Sequence, residues 1–389
     1  MSSTTTAMKL RITSSPHIRT TETVPRIMWT VNLTLAPVAL YSIWWFGWRA
    51  GYTMGLCVGA AVLTEFLIQK YLRKMPVTCF DGSAVLTGLL FAMVMPANQP
   101  WYVSVIGSAF AIGIAKHAFG GLGNNIWNPA LVARAFVLAA WPAVTILGGA
   151  WPLQGEDATP VVFDLNDYRT SENAVTVTGP SPLTDSEVSL TAEEAALPDE
   201  ERLELIRARW ATQIEANLRA ATASAPDATD GSVYLRLALG GRNGCLGEAA
   251  GLLLVLGGVV LLIRGYVNWR VPVFFIASAL VLAWVLPEKI RLADGTNVFS
   301  TWFTGDMLRQ LLGGGLLIGA FFMATDMVTS PVTNKGAIIF AVGCGVLTAL
   351  IRNFGGYPEG VSYAIILMNT AVPLIDRHTR PRTYGEVEG

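Results

Sequence analysis

Phe119-Gly120-Gly121-Leu122-Gly123-Asn124-Asn125 sits at the centre of the run Lys116-His117-Ala118-Phe119-Gly120-Gly121-Leu122-Gly123-Asn124-Asn125-Ile126-Trp127-Asn128-Pro129-Ala130 and cannot continue a helix. Its near-consecutive small or αL-tolerant residues favour a turn in which backbone approaches backbone or a ligand. The run lacks GxGxxG spacing and no strand precedes it, so it is not a dinucleotide fingerprint. Two readings stand: a tight re-entrant turn, or a cofactor contact. The motif recurs. Pro96 precedes Gly120 by 24 positions, and Pro331 precedes Gly355 of Phe354-Gly355-Gly356 by 24. His117 and Arg352 fall at equivalent offsets in the two copies.

Working outward from these turns, ten apolar stretches are long enough to cross or enter a bilayer. They are Ile27 to Phe46, Gly51 to Leu72, Ser83 to Met95, Trp101 to Ala115 and Pro129 to Leu147, then Leu246 to Ile263, Val271 to Leu286, Leu311 to Met327, Ala337 to Leu350 and Val361 to Ile375. Five spans per copy is odd, so the halves must face opposite ways as an inverted repeat. The expected fold is an all-α integral membrane protein of about ten transmembrane helices in two inverted five-helix repeats. Composition agrees: of 389 residues, 52% are hydrophobic and 14% charged, against about 25% charged in soluble domains. The net charge of -1 and the absence of a basic stripe argue against nucleic acid as a partner.

Between the halves the character changes. Residues 149–245 hold 16 acidic residues, seven Arg and no Lys. Within them Glu200 to Ala221 lacks Pro and Gly, and Leu203, Ile206, Trp210, Ile214 and Leu218 approximate a 3.6 period, which predicts an amphipathic helix packed on a small domain or a partner. The expected organisation is a cytoplasmic segment 1–26, a first membrane repeat 27–148, an external insert 149–245, a second repeat 246–375 and a cytoplasmic tail 376–389. Orientation follows from Lys and Arg. The N-terminus, the loop with Lys70, Arg73 and Lys74, the loop with Arg264 and Arg270, and the tail with Arg377, Arg380 and Arg382 fall on one side, which is assigned to the cytoplasm.

Few residues could carry chemistry. Cys57, Cys79, Cys245 and Cys344 form no CxxC, so no iron–sulfur or metal motif is expected. Glu65 lies inside the second span; a membrane-embedded carboxylate is costly and is either an ion relay or paired with a basic residue. Asp326 borders a polar turn, Glu248 opens the sixth helix, and His117 is read as an interfacial residue. The insert contains Ala174-Val175-Thr176-Val177-Thr178-Gly179-Pro180-Ser181-Pro182-Leu183, a cluster of hydroxyls with no His in the insert to activate them.

Four strings together resemble one family: Asp81-Gly82-Ser83-Ala84-Val85-Leu86-Thr87-Gly88, the run from Lys116 to Ala130, Arg352-Asn353-Phe354-Gly355-Gly356-Tyr357-Pro358, and Leu367-Met368-Asn369 with Pro373-Leu374-Ile375-Asp376. The chain resembles the RnfD family of membrane subunits, related to a membrane subunit of the sodium-translocating NADH:quinone reductase. The resemblance implies a urea-transporter-like fold and the bacterial inner membrane, with the insert in the periplasm. It implies a subunit, not catalytic alone, of an Rnf complex that couples electron flow between ferredoxin and NAD to Na⁺ or H⁺ movement. Its partners would be the flavin and iron–sulfur subunits and the lipid bilayer. It further implies FMN joined through its phosphate to a loop hydroxyl, in a motif like Asp-x-x-Ser/Thr-Gly-Ala-Thr. In this chain Ser181 falls at the acceptor position, with Ser for Thr, Pro180 for Ala and Val175 for Asp; Thr178 is the alternative and Thr176 the third choice. The related reductase subunit also holds riboflavin, which extends that option to this chain. A solute channel and a flavin-free structural subunit are the competing readings.

Overall fold

The computed structural model describes residues 22–97, 99–142, 187–188, 190–195, 197–221, 230–240, 244–292, 297–355 and 360–380. Every one of the ten apolar stretches contains helix. The first group supplies α1 (Val24–Phe46), α2 (Trp48–Leu67, continuing as a π-turn through Ile68–Leu72), α3 (Ser83–Met93), α4 (Trp101–Phe110, continuing as a π-turn through Ala111–His117) and α5 (Pro129–Ala140). The insert supplies α6 (Asp199–Ala221) and α7 (Asp230–Leu239). The second group supplies α8 (Gly251–Ile263), α9 (Arg270–Val285), α10 (Met307–Leu312), α11 (Leu316–Ile318, continuing as a π-turn through Gly319–Met323), α12 (Asn334–Phe354) and α13 (Val361–His378).

Starts and stops follow local chemistry. The Asn128 side chain accepts from the Ala130 N–H at 3.0 Å and Pro129 opens α5, where its missing N–H costs nothing. The Thr333 hydroxyl caps α12 through the Gly336 N–H at 3.0 Å. Three helices are long and apolar enough to cross a membrane by length and composition: Val24–Phe46, Trp48–Leu72 and Asn334–Phe354. Others are short. The 11 residues of α3 rise about 16 Å, roughly half a hydrocarbon core of ~30 Å.

The two groups pack alike. In the first, α2 lies on α4 and α4 on α5; in the second, α9 lies on α12 and α12 on α13. Between groups, α1 meets α8 and α5 meets α13, first against first and last against last. One apolar core runs through both, taking Leu35, Phe91 and Met93 from one and Leu316, Phe340 and Ile365 from the other. Backbones come close at small residues. A Cβ on Gly257 of α8 would lie 2.8 Å from the Thr34 carbonyl oxygen of α1. A Cβ on Gly345 of α12 would lie 2.6 Å from the Phe275 carbonyl oxygen of α9 and closer still to Ser278 Oγ. Contact of this kind holds helices together where no hydrophobic drive between them exists.

Loops sort onto two faces. On one, Tyr266 donates to Glu22, Arg73 bonds the Gly120 carbonyl, Arg270 bonds Asn334, and the Val332 N–H bonds Asp376. On the other, the Leu246 N–H bonds the Met95 carbonyl and Tyr234 bonds Asp306. Trp44, Trp48, Trp101 and Trp302 are exposed near the second face, and Trp29, Tyr71, Phe80 and Trp269 near the first. Two tiers of aromatics are the arrangement that membrane–water interfaces favour.

The all-helical expectation omits a small sheet on the second face. β1 (Glu187–Val188) pairs parallel with β2 (Lys289–Leu292), which pairs antiparallel with β3 (Asn297–Phe299). Val188, Ile206, Ile290 and Leu292 close a separate core beneath α6, with Trp210 packed against it. Ile214 packs against a further cluster with Val233 and Leu237 of α7. The amphipathic helix of the insert therefore packs on a small domain, and strands from the loop after α9 complete that domain.

Gly345→Val should drive α9 and α12 apart. The expected loss is about 1–3 kcal/mol, the range for overpacking a closed contact. A thermal midpoint in detergent that matches the parent chain would contradict the packing.

Candidate functional site

Glu65 sits 1% exposed on α2, and its charge is met from a residue 51 positions away. Lys116 Nζ donates to Glu65 Oε1 at 2.8 Å, to Glu65 Oε2 at 2.9 Å and to Ser83 Oγ at 2.7 Å. Ser83 Oγ donates in turn to Asp81 Oδ1 at 2.7 Å. Gln69 Nε2 donates to Glu65 Oε1 at 3.1 Å, and its other end holds the Thr78 N–H at 2.7 Å. His117 completes the cluster: Nε2 stands 3.6 Å from Glu65 Oε1, and neither ring nitrogen has a hydrogen-bond partner.

The backbone explains how adjacent residues share one target. Lys116 and His117 end the π-turn of α4, whose i→i+5 bonding widens the helix. Arg73 then fixes that end, bonding the Gly120 carbonyl at 2.7 Å and the His117 carbonyl. Gly120, Gly121 and Gly123 have φ of 131°, 97° and 94°, backbone that L side chains rarely adopt. The Gly-rich run thus forms a tight turn, and it sets Lys116 rather than a glycine against Glu65. His117, expected at an interface, is buried, because the π-turn carries it inward with Lys116.

A cavity of about 90 Å³ lies between the two groups of helices. Ser83, Thr87, Lys116, Asn125 and Asn128 line it from one group, and Tyr266, Thr325 and Asp326 from the other. Asn125 Oδ1 is buried without a partner. Asp326 closes the turn after α11, accepting from the Val328 N–H and the Thr329 hydroxyl, each at 3.3 Å. At the cavity rim the Tyr266 hydroxyl donates to Glu22 Oε2 at 2.7 Å, and this carboxylate holds the phenol above its ordinary pKa. Beside the cavity Asn128 Nδ2 bonds the Met323 carbonyl at 3.2 Å. With its amide oriented to satisfy both neighbours, Asn369 bonds the Thr329 carbonyl at 3.2 Å and the Asn128 N–H at 3.3 Å. The Asn residues quoted from two distant strings meet here.

A second buried charged group lies under the sheet. Arg309 of α10 pairs with Glu288, and Arg352 of α12 bonds the Gln310 carbonyl at 2.7 Å and the Gly313 carbonyl at 3.3 Å. Ser181, Thr178 and Thr176 lie outside the described residues.

Residues 11–385 match the model of the NQR2, RnfD, RnfE family. Three relatives, each the subunit designated D of its complex, align along nearly the whole chain. Over 374 residues, 96% of each chain, the sequence is 40% identical to that subunit of the proton-translocating ferredoxin:NAD(+) oxidoreductase complex of Clostridium ljungdahlii. Over 378 residues, 97% of this chain and 96% of the other, it is 38% identical to that of the Na(+)-translocating ferredoxin:NAD(+) oxidoreductase complex of Acetobacterium woodii. Over 368 residues, 93% and 92% of the two chains, it is 37% identical to that of the ion-translocating oxidoreductase complex of Stutzerimonas stutzeri.

Glu65→Gln leaves the Lys116 ammonium buried without a counter-charge, at an expected cost of about 3–5 kcal/mol. The double variant Glu65→Gln/Lys116→Met removes both charges and should regain most of that stability. Equal thermal midpoints for the single and double variants would show that the pair is not coupled.

Proposed function

Because the chain belongs to the NQR2, RnfD, RnfE family, we propose that it is a membrane subunit of an ion-translocating ferredoxin:NAD oxidoreductase complex. The observation that carries this reading is end-to-end similarity: relatives with that role align over 96% of their own length and of this chain. It does not act alone. Ferredoxin and NAD chemistry needs iron–sulfur and flavin groups on partner subunits, and the four cysteines here are scattered.

The helices form two inverted five-helix repeats in the inner membrane of a bacterium. Matching pair contacts within each group, and the first-to-first and last-to-last contacts between them, support that arrangement. The face with Arg73, Arg264 and Arg270 is cytoplasmic, and the face with the small sheet is periplasmic.

FMN is joined by a phosphoester to Ser181, with Thr178 as the alternative acceptor. Gly179 allows the turn that presents the hydroxyl. Ser181 precedes Glu187 of β1 by six positions in sequence. The sheet itself is held by the cores beneath α6 and α7. A bound flavin supplies single-electron transfer, which side chains do not offer reversibly at biological potentials. This chain's residues tether it and hold it at the outer layer.

Two measurements test the reading. A peptide spanning Thr176 to Leu183, from protein made alongside its own flavin transferase, should carry the added mass of FMN on Ser181; an unmodified peptide removes the flavin. A reporter active only in the cytoplasm, fused near Glu200, should be silent; activity there overturns the topology.

A further inference from the structure

We propose that the Glu65–Lys116–His117 cluster exchanges a proton and not a sodium ion. The proposal rests on the ion-translocating role proposed above and names the ion this chain handles. Three observations carry it.

The carboxylate is already occupied. Both Glu65 oxygens accept from the Lys116 ammonium, and Oε1 also accepts from Gln69. A sodium ion bound to Glu65 would stand roughly 4 Å from that ammonium. At an effective dielectric of about 20 the repulsion weakens binding by about three orders of magnitude. The surroundings are also wrong for a hard cation, which takes oxygen ligands. Glu65 faces an ammonium, an amide NH₂ and an imidazole, and Ser83 Oγ already accepts from Lys116 and donates to Asp81.

His117 faces the carboxylate without a hydrogen bond. It is 6% exposed, both ring nitrogens lack partners, and Nε2 points at Glu65 from 3.6 Å. Imidazole is the side chain whose charge ordinarily changes between pH 5 and 8. The charged and titratable groups around it are Glu65 on α2, Lys116 beside it, Arg73 on its carbonyl, and Asp81 and Cys79 ahead of α3; Asp326 shares the cavity with Lys116.

Space for water lies beside the cluster at Lys116, although His117 and Glu65 do not themselves line it. Lys116 borders the cavity of about 90 Å³, enough for several water molecules between Thr87, Asn125 and Asp326. In the proposed cycle the His117 Nε2 lone pair takes a proton from hydronium: an N–H bond forms, an O–H bond breaks and neutral water is left. The imidazolium closes on Glu65 Oε1, and Lys116 keeps Oε2 and Ser83. Release reverses the sequence: the N–H bond breaks, the proton returns to water and Lys116 regains Oε1. Only N–H and O–H bonds change, and no electron moves.

Two independent experiments test this. In the first, the full chain purified in detergent is unfolded thermally from pH 5 to 8, in NaCl or choline chloride at equal ionic strength. The midpoint should vary with pH in the parent chain, lose that variation in His117→Gln, and ignore sodium. A flat parent profile, an unchanged His117→Gln profile, or a sodium-specific rise that Glu65→Gln abolishes each overturns the proposal. In the second, the assembled complex in sealed vesicles is driven with reduced ferredoxin and NAD⁺. Acidification per NADH should persist in choline and fall by roughly a hundredfold in His117→Gln, the lower end of what a positioned proton-transfer group contributes. Uptake of ²²Na⁺ that Glu65→Gln abolishes overturns it. Absence of NADH formation in the parent complex would instead defeat the complex-level reading and leave the first experiment to decide this one.

Discussion

A charge inside this bundle survives only where another group meets it, and that constraint organises the described residues. An isolated carboxylate or ammonium in a medium of low dielectric costs several kcal/mol after relaxation. Glu65 and Lys116 escape by sharing two contacts, and Glu288 and Arg309 escape by pairing. Arg73 and Arg352 use a different partner. Their guanidinium groups bond carbonyl oxygens at the broken ends of helices. Those carbonyls lack partners within their own helices, so one contact satisfies two needs. The short helices and π-turns are therefore tied to the half-buried Arg73 and Arg352: the helices end early and these cations complete the ends.

On the inverted-repeat reading, the same position is used twice with different chemistry. His117 and Arg352 share an offset from Pro96 and Pro331. At one face the end of α4 delivers an ammonium and an unpartnered imidazole to a carboxylate. At the other the end of α12 delivers a guanidinium to backbone carbonyls. A guanidinium keeps its proton at any relevant pH and an imidazole does not. The two ends thus match in placement but differ in side-chain chemistry.

The helices were legible because apolar runs announce themselves, and each predicted stretch contains helix. The Gly-rich turns were legible because few residues tolerate positive φ. The amphipathic helix was legible from Ile206 and Trp210, which do pack on a core. The sheet was not: β1 has two residues, and the alternation of Lys289-Ile290-Arg291-Leu292, period two, was too short to separate from a charged loop. Nor was the partner of Glu65. Lys116 is distant in sequence, and only its place beside His117 at the close of an apolar run hinted at burial. A π-turn leaves no period a sequence reader can count, so the inward turn of His117 had no signal. The acceptor hydroxyls rest on motif likeness alone.

Placement of the two proposed sites limits how they can be coupled. The hydroxyl loop leads into β1, which pairs with β2 from the loop after α9. The strand that follows the proposed acceptor in sequence is therefore paired with the second group's loop, while Glu65, Lys116 and His117 belong to the first group. The groups meet through α1 on α8, through α5 on α13, and through the junction of Asn128, Asn369 and the Met323 carbonyl beside the cavity. A close-packed core resists continuous deformation and tends to move between discrete arrangements. Any mechanical link between the proposed flavin site and the proposed proton exchange must shift one of these contacts. The Asn junction is the best placed of them, because the π-turn of α11 ends at Met323 and the Asp326 turn that follows borders the same cavity as Lys116.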